Sequence, residues 1–311
     1  MPETNFNLDT INLVILVVAI VNTIYGLIVY SRNRADKTNL AFFLLTLAVS
    51  FWDVSMFAYR AFPSYDLTII FSRILYVAAS TIPISFLLFV FTFPSFEFKA
   101  KRWQKYLLPI PFIISCAISI LPNFLIQDIQ FIPGQENIIV FNVWLHAYYA
   151  IYIVSYFVWG YLLLFKRYRH SEGMLKIQVA YILTGTLIST IIGVFTNLIL
   201  LLFLNIFIFN WLGQVGTVVM ISLISYAILK HHLFNIKVIA TELFTFSLWF
   251  FILIRTLSAE SGQEKIINSI LLLLVVGVGI LLIRSVRNEV SQRERIEKLA
   301  EDLEGANKHL T

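Results

Sequence analysis

The stretch Ser269-Ile-Leu-Leu-Leu-Leu-Val-Val-Gly-Val-Gly-Ile-Leu-Leu-Ile283 contains no charged residue. Charged residues follow directly, and eleven of them lie between Arg287 and Thr311. No proline occurs from Ile266 to Thr311, so no residue there is expected to break a helix. We therefore predict one helix that leaves a bilayer and continues into water. Such a helix can transmit a piston, tilt or rotation, which favours a signalling receptor.

The charged part of this helix carries a heptad pattern. Apolar residues repeat at intervals of 3, 4, 3 and 4 in the series Ile296, Leu299, Leu303, Ala306 and Leu310. This spacing is typical of the seam of a parallel two-stranded coiled coil. Two interpretations stay open: a homodimer formed through this seam, or a single solvated helix.

Composition indicates a polytopic membrane protein. The 311 residues are 59% hydrophobic and 13% charged, and the mean hydropathy is +0.82, which excludes an ordinary soluble domain. The single cysteine, Cys116, excludes an internal disulfide and a cysteine-cluster metal site. We find no metal-ligand cluster, catalytic dyad or phosphate-binding loop, so we expect no metal, no cofactor and no catalytic residue.

Apolar stretches near the ~20 residues needed to cross a bilayer recur along the chain. They predict an all-α bundle of nine spans, at about 9–30, 39–59, 67–92, 106–124, 146–165, 177–203, 211–229, 238–257 and 266–286. The break between the sixth and seventh spans is assigned to the cluster of Asn205, Asn210 and Trp211, because these residues suit an interface.

The distribution of basic residues predicts the orientation. The loops after the odd-numbered spans hold Arg32, Arg34, Lys37, Lys99, Lys101, Arg102, Lys105, Lys166, Arg167, Arg169, Lys176, Lys230 and Lys237. The opposite loops hold Arg60, Arg255 and Lys265. By the positive-inside rule the N-terminus is outside and the C-terminal helix is cytoplasmic, in the cell membrane. The net charge of +5 is thereby explained by topology, and we expect no nucleic-acid partner.

The longest outer loop, about residues 127–145, contains Pro133-Gly134 between two strand-like runs. A short hairpin capping the bundle and an irregular loop at the membrane surface both fit this pattern.

Two groups of residues inside the predicted spans could form a ligand pocket. Asp53 and Arg73 lie about equally deep in spans two and three, so we expect an ion pair, which could be structural or part of a sensing site. The second group contains His146 and the one-sided stripe Tyr149, Tyr152 and Tyr156 in span five, with Asn197 in span six and Gln214 in span seven. Helix packing and interhelical hydrogen bonds are the alternative roles for this second group.

Several segments resemble a known family. Tyr226-Ala-Ile-Leu-Lys-His-His-Leu-Phe-Asn-Ile-Lys-Val-Ile-Ala240 is similar to the end of the seven-transmembrane N-terminal region of bacterial sensor histidine kinases. Leu44-Leu-Thr-Leu-Ala-Val-Ser-Phe-Trp52 and Arg73-Ile-Leu-Tyr76 support this resemblance, and the segment 297–310 resembles the linker of those kinases. The resemblance implies the sensory part of a two-component receptor, coupled to a cytoplasmic kinase domain in cis or in trans.

The printed sequence contains neither the phosphoacceptor histidine box nor the ATP-binding segment that the resemblance implies further on, so we expect no kinase activity from it alone. A truncated chain, a fragment of a longer gene and a stand-alone receptor all remain open. The predicted domains are a sensor bundle (1–237), a two-span hairpin (238–288) and a coiled-coil linker (289–311). A small-molecule transporter or permease is the alternative function, although no inverted repeat is discernible.

Overall fold

The computed structural model describes residues 9–62, 64–94, 107–131, 137–204, 206–229 and 261–308, together with isolated positions between 241 and 259. Two compact units are present, one containing residues 1–229 and the other residues 230–311. They are described separately below.

The first unit is built from helices. Its described elements are α1 (Thr10–Arg32), α2 (Lys37–Ala61), α3 (Tyr65–Thr92), α4 (Pro109–Ile120), α5 (Val143–His170), α6 (Gly173–Val194), α7 (Leu200–Leu204) and α8 (Leu212–Leu229). A π-helical turn, Phe195–Ile199, joins α6 to α7. Local signals begin two helices: the carboxylates of Asp9 and Asp36 accept hydrogen bonds from backbone amides in the first turns of α1 and α2.

Six of these helices form a closed ring. Each contacts the next in the order α1, α2, α3, α5, α6, α8, and α8 contacts α1. The short helix α4 packs outside the ring against α3 and α5. The ring has a buried interior that includes Phe42, Leu45, Phe86 and Tyr149. Its outward face carries exposed apolar residues such as Ile20 and Ile151, as expected of helices that face lipid.

A β-hairpin covers one end of the ring, which we call the hairpin end. Strands β1 (Ile126–Gln130) and β2 (Ile138–Phe141) pair antiparallel, and Ile129 lies opposite Ile139. Both of these isoleucines are buried, and the Tyr59 hydroxyl of α2 donates to the carbonyl of Asn137 at 3.0 Å. Of the two alternatives that the sequence leaves open for this loop, the structure contains the hairpin, and Ile126 of β1 is buried together with these two isoleucines.

A second contact fastens the outer edge of this hairpin. The Tyr65 hydroxyl, at the start of α3, donates a hydrogen bond of 2.8 Å to the Asp128 carboxylate. This bond, followed by one from the backbone amide of Ile129, lowers the pKa of Asp128 from its ordinary value.

The span count differs from the sequence prediction. Among the described residues, six helices are long and apolar enough to cross a membrane, where nine spans were expected. In the described part of the fourth predicted span, the helix α4 has 12 residues, with Pro109 and Pro111 at its start and Pro122 after its end. The seventh predicted span corresponds to α8, which has 18 residues. Its apolar stretch is shorter than those of the six helices that are long enough to cross a membrane. The eighth, 238–257, falls largely outside the described residues.

The second unit contains one long helix, α9 (Gly262–Lys308), of 47 residues. The predicted unbroken connection from apolar span to charged segment is therefore confirmed. The seam is not confirmed: Ile296 is exposed, the side chains of Leu299, Leu303 and Ala306 are not described, and Leu310 lies outside the described residues.

Described residues that precede α9 in the chain pack on it within this unit. The Trp249 indole Nε1 donates to the Val275 carbonyl at 3.0 Å. A Cβ atom on Gly279 would lie 2.5 Å from the Thr245 Cγ2 atom and 2.7 Å from Trp249 Nε1, whereas one on Gly277 would meet nothing within 4 Å. Gly279 thus permits this close contact.

Candidate ligand-binding site

The first unit contains a pocket within the ring, near the hairpin end. Its cavity volume is about 100 Å³. The walls come from α2, α3, α5, the α6–α7 region and α8, and Ile139 of the hairpin also lines it. The lining residues are Trp52, Met56, Leu75, Tyr76, Ala79, Ile82, Pro83, Ile139, Tyr149, Ile153, Phe157, Ser189, Thr190, Gly193, Val194, Asn197, Leu198, Leu201, Asn210, Gly213, Thr217 and Met220.

The pocket lining carries no formal charge. Every lining side chain is apolar, aromatic, hydroxylated or an amide, and none belongs to Asp, Glu, Lys, Arg or His. A charged molecule would therefore lose its hydration without meeting an opposite charge in the walls, which is costly in a low-dielectric interior. The pocket suits neutral, mainly apolar molecules.

Glycines bring the walls of the pocket close together. A Cβ on Gly213 of α8 would lie 2.5 Å from Asn197 Nδ2 and 2.9 Å from the Trp52 Cη2 atom. It would also lie 3.4 Å from the Cα of Gly193 in α6. In contrast, a Cβ on Gly193 would meet no atom within 4 Å. The helices therefore approach tightly at Gly213, while space remains beside Gly193.

The π-helical turn forms part of the wall. In it the Leu200 amide donates to the carbonyl of Phe195, five residues earlier. Asn197 lies in this turn and its Nδ2 donates to Thr196 Oγ1 at 2.9 Å. Turns of this kind are uncommon and frequently occur at functional sites, because the extra residue reorients a side chain.

Asn210, in the loop before α8, presents an unpaired polar atom beside the pocket. The residue is buried, and its Oδ1 has no hydrogen-bond partner among the described residues. The side-chain amide of Gln214 holds this loop in place. With the amide oriented to donate, its nitrogen lies 2.9 Å from the backbone carbonyl oxygens of both Asn210 and Trp211. A bound molecule with a donor group would satisfy Asn210.

A buried polar group behind the pocket links α1, α2 and α8, and we call it the Asn22 cluster. The Asn22 Nδ2 donates to Asp53 Oδ2 at 3.0 Å and to Thr217 Oγ1 at 2.8 Å. Thr217 lines the pocket and in turn donates to the Gln214 carbonyl at 2.6 Å. The Asn22 cluster thus connects the fully buried Asp53 to a wall of the pocket.

Comparison with known families assigns the fold. The sequence model of the N-terminal 7TM region of histidine kinases matches residues 14–237. The chain belongs to this family. The match covers the ring except for the first residues of α1, and it covers the whole pocket, so the pocket lies in a 7TM region, and the chain is a multi-pass membrane protein. No curated protein matches the chain.

Within the 7TM region, the predicted ligand residues lie in different places. Tyr149 and Asn197 line the pocket, and Gln214 supports the loop that carries Asn210. Asp53 reaches the pocket wall only through the Asn22 cluster. The remaining candidates, Arg73, His146, Tyr152 and Tyr156, do not line the pocket.

The expected ion pair between Asp53 and Arg73 is wrong. Asp53 points toward Asn22 of α1, and no ion pair joins it to Arg73 although both residues are described. The Arg73 Nε atom is buried and has no hydrogen-bond partner in the described parts of the chain. Both residues lie at a similar depth in their predicted spans, but depth does not specify which neighbouring helix each side chain faces.

The tyrosine stripe of α5 fastens the 7TM region together. The hydroxyls of Tyr149 and Tyr152 donate to the carbonyls of Tyr76 and Ser80 on α3, each at 2.8 Å. Tyr156 donates to the carbonyl of Leu108 beside α4. Bundle packing therefore uses all three hydroxyls, and Tyr149 also contributes to the pocket lining.

His146 lies under the hairpin among aromatic rings. Its ring centroid is 4.1 Å from that of Phe141 and 6.0 Å from that of Tyr76. The residue is buried, and its Nε2 has no hydrogen-bond partner among the residues that the structure describes.

Sequence reasoning missed several pocket residues. Trp52 was read only as part of a family motif, Asn210 only as a break between spans, and Gly193 and Gly213 not at all. A glycine in each of two adjacent helices is a signal of close helix approach in a membrane, and it could have indicated this region.

Proposed function

We propose that the chain is the sensory and transmission module of a two-component histidine-kinase receptor, and that its input site is the pocket of the ring. The pocket carries the proposal because one occupant would touch walls from five ring helices and the hairpin. Membership of the 7TM family supports a sensory role. Of the residues first considered as ligand-binding, Tyr149 and Asn197 would contact the ligand, and Gln214 and Asp53 would act behind the wall.

In this mechanism the ring has two packings, and a ligand favours the packing that leaves room for it. The helices would move relative to one another about the close contact at Gly213. Glycine has no side chain that could move aside, so the walls would separate there only by movement of whole helices. The sensor bundle would span residues 1–237, and the end covered by the β-hairpin would lie outside the cell. A hairpin of two transmembrane helices (238–288) would then pass the change in packing to the cytoplasmic linker (289–311).

The proposed output is a change in how two linkers pack. In a homodimer the seam residues would bring two copies of α9 together, and a kinase domain in cis or in trans would respond to their rotation or displacement. The unbroken helix Gly262–Lys308 supports this step, since no joint absorbs the motion along it.

A pocket-filling variant tests the input site. The chain is joined through its linker to a histidine-kinase catalytic domain, and autophosphorylation is measured in membranes. Gly193→Leu should shift basal output by at least severalfold because the side chain extends into the pocket. Gly216→Ala is the matched control on α8: its Cβ meets Ile192 at an ordinary 3.6 Å and does not line the pocket. Equal output from both variants would contradict the proposed input site.

A cysteine scan tests the output step. Cys116 is first replaced by serine, since it is the single native cysteine. Single cysteines at positions 294–304 are then oxidised in the same fusion. Crosslinking and kinase output should both follow the heptad phase, with maxima at 296, 299 and 303. Uniform crosslinking and uniform output would reject transmission through a paired helix.

A further inference from the structure

We infer that the pocket binds a neutral, mainly apolar molecule about the size of one aromatic ring, held by an O–H or N–H group that donates to Asn210. This inference rests on the proposed input site and specifies the chemical class of its ligand. It is carried by the uncharged lining, the unpaired oxygen of Asn210 and the aromatic side chains of the walls.

The donor requirement follows from the amides. Asn210 is only 4% exposed and its Oδ1 has no partner among the described residues, so a ligand with a donor group could supply a hydrogen bond to it. Asn197 uses its Nδ2 on Thr196, and its Oδ1 accepts no hydrogen bond from the described residues. Two amide oxygens are therefore available to a donor, and no cation in the lining is available to an anion.

The aromatic character and the size of the ligand are inferred from the walls of the pocket. Trp52, Tyr76, Tyr149 and Phe157 supply aromatic surface around the space. An aromatic ligand can pack against such rings edge-to-face or offset, in addition to burying apolar area. The cavity volume, about 100 Å³, is well above the roughly 10–15 Å³ that one water requires.

Three probes of similar shape separate the alternatives. Phenol has a donor, toluene has none, and benzoate is an anion at neutral pH. Binding is measured by calorimetry on the full chain in lipid nanodiscs, and Gly193→Leu in identical nanodiscs supplies the background from partition into lipid. Phenol should bind saturably above this background, and benzoate should not. Saturable benzoate binding, or phenol binding that is unchanged in Gly193→Leu, would overturn the inference.

The contribution of the Asn210 side-chain amide to ligand affinity is measured by comparing phenol with toluene. The phenol-to-toluene affinity ratio should fall about fivefold in Asn210→Leu, since one hydrogen bond to a buried partner is lost while shape is nearly kept. Comparing ratios cancels the different hydration of the two probes. Asn197→Leu provides the same test on another wall, so the result does not depend on one variant folding. An unchanged ratio in both variants would overturn the inference.

The two proposals fail in different ways. If phenol binds as expected but leaves the output of the kinase fusion unchanged, the ligand class stands and the proposed input function fails. If Gly193→Leu changes output while phenol and toluene bind equally in all variants, the input site stands and the donor requirement fails.

Discussion

Two glycines on the same helix, Gly213 and Gly216, should respond oppositely to the same substitution. In Gly213→Ala the new Cβ would lie 2.5 Å from Asn197 Nδ2 and 2.9 Å from Trp52 Cη2. Both distances are below ordinary van der Waals contact, so the amide and the indole must move. Overpacking of this kind typically costs about 1–3 kcal/mol.

Gly216→Ala meets no such obstacle. Its Cβ would lie 3.6 Å from three atoms of Ile192, which is ordinary contact. Replacing glycine by alanine inside a helix stabilises it by roughly 0.5–1 kcal/mol. Gly213 is the second residue of α8 and gains little from helix propensity, so the two variants should differ by about 1.5–4 kcal/mol.

The natural thiol provides the assay. Cys116 is half-buried in α4, and unfolding should expose it to a fluorescent thiol reagent. Thermal exposure of Cys116 in mild detergent should occur at lower temperature in Gly213→Ala than in wild type, and at equal or higher temperature in Gly216→Ala. If both variants unfold at the same temperature and both bind phenol as wild type does, the close approach at Gly213 is refuted.

Asn22→Leu removes the donor from both acceptors of the Asn22 cluster and should destabilise the chain by roughly 1–3 kcal/mol, measured by the same thiol assay; unchanged stability would argue against the cluster. Because the pKa of Asp128 is lowered, its carboxylate stabilises hairpin docking above the ordinary carboxyl pKa of about 3.9, and this contribution is lost as pH falls through the lower folded-state value. Tyr65→Phe should move that loss to higher pH, which an NMR titration of labelled aspartate would detect. Gly279→Ala should loosen the packing of Trp249 and red-shift its fluorescence, whereas Gly277→Ala should leave it unchanged.

Much of the fold was predictable from the sequence. The long apolar runs of α1, α2, α3, α5 and α6 could be recognised because a bilayer requires about 20 apolar residues per helix. The hairpin was one of two possibilities predicted for the outer loop, from two strand-like runs on either side of Pro133-Gly134. The fourth span is not confirmed, since in the described residues the helix at this place, α4, has 12 residues and lies between prolines.

The candidate site was harder to predict. Asn197 and Tyr149 were recognised as polar or aromatic residues within spans, but the π-helical turn that places Asn197 has no signature in hydropathy. Asp53 was assigned the wrong partner, since a neighbour on α1 and a neighbour on α3 are equally compatible with its position along α2.

By itself the sequence determined which segments can enter a membrane, that the last of them continues as an unbroken charged helix, and which family the chain resembles. These properties depend on residues near one another in the chain, through apolar length and the absence of proline. Only the tertiary structure decided that six helices close into a ring, that Gly213 brings Trp52 and Asn197 together, and that the Asn210 Oδ1 atom is buried with no hydrogen-bond partner among the described residues. Those properties depend on the rotation of each helix about its axis, which is set by packing against neighbours distant in sequence.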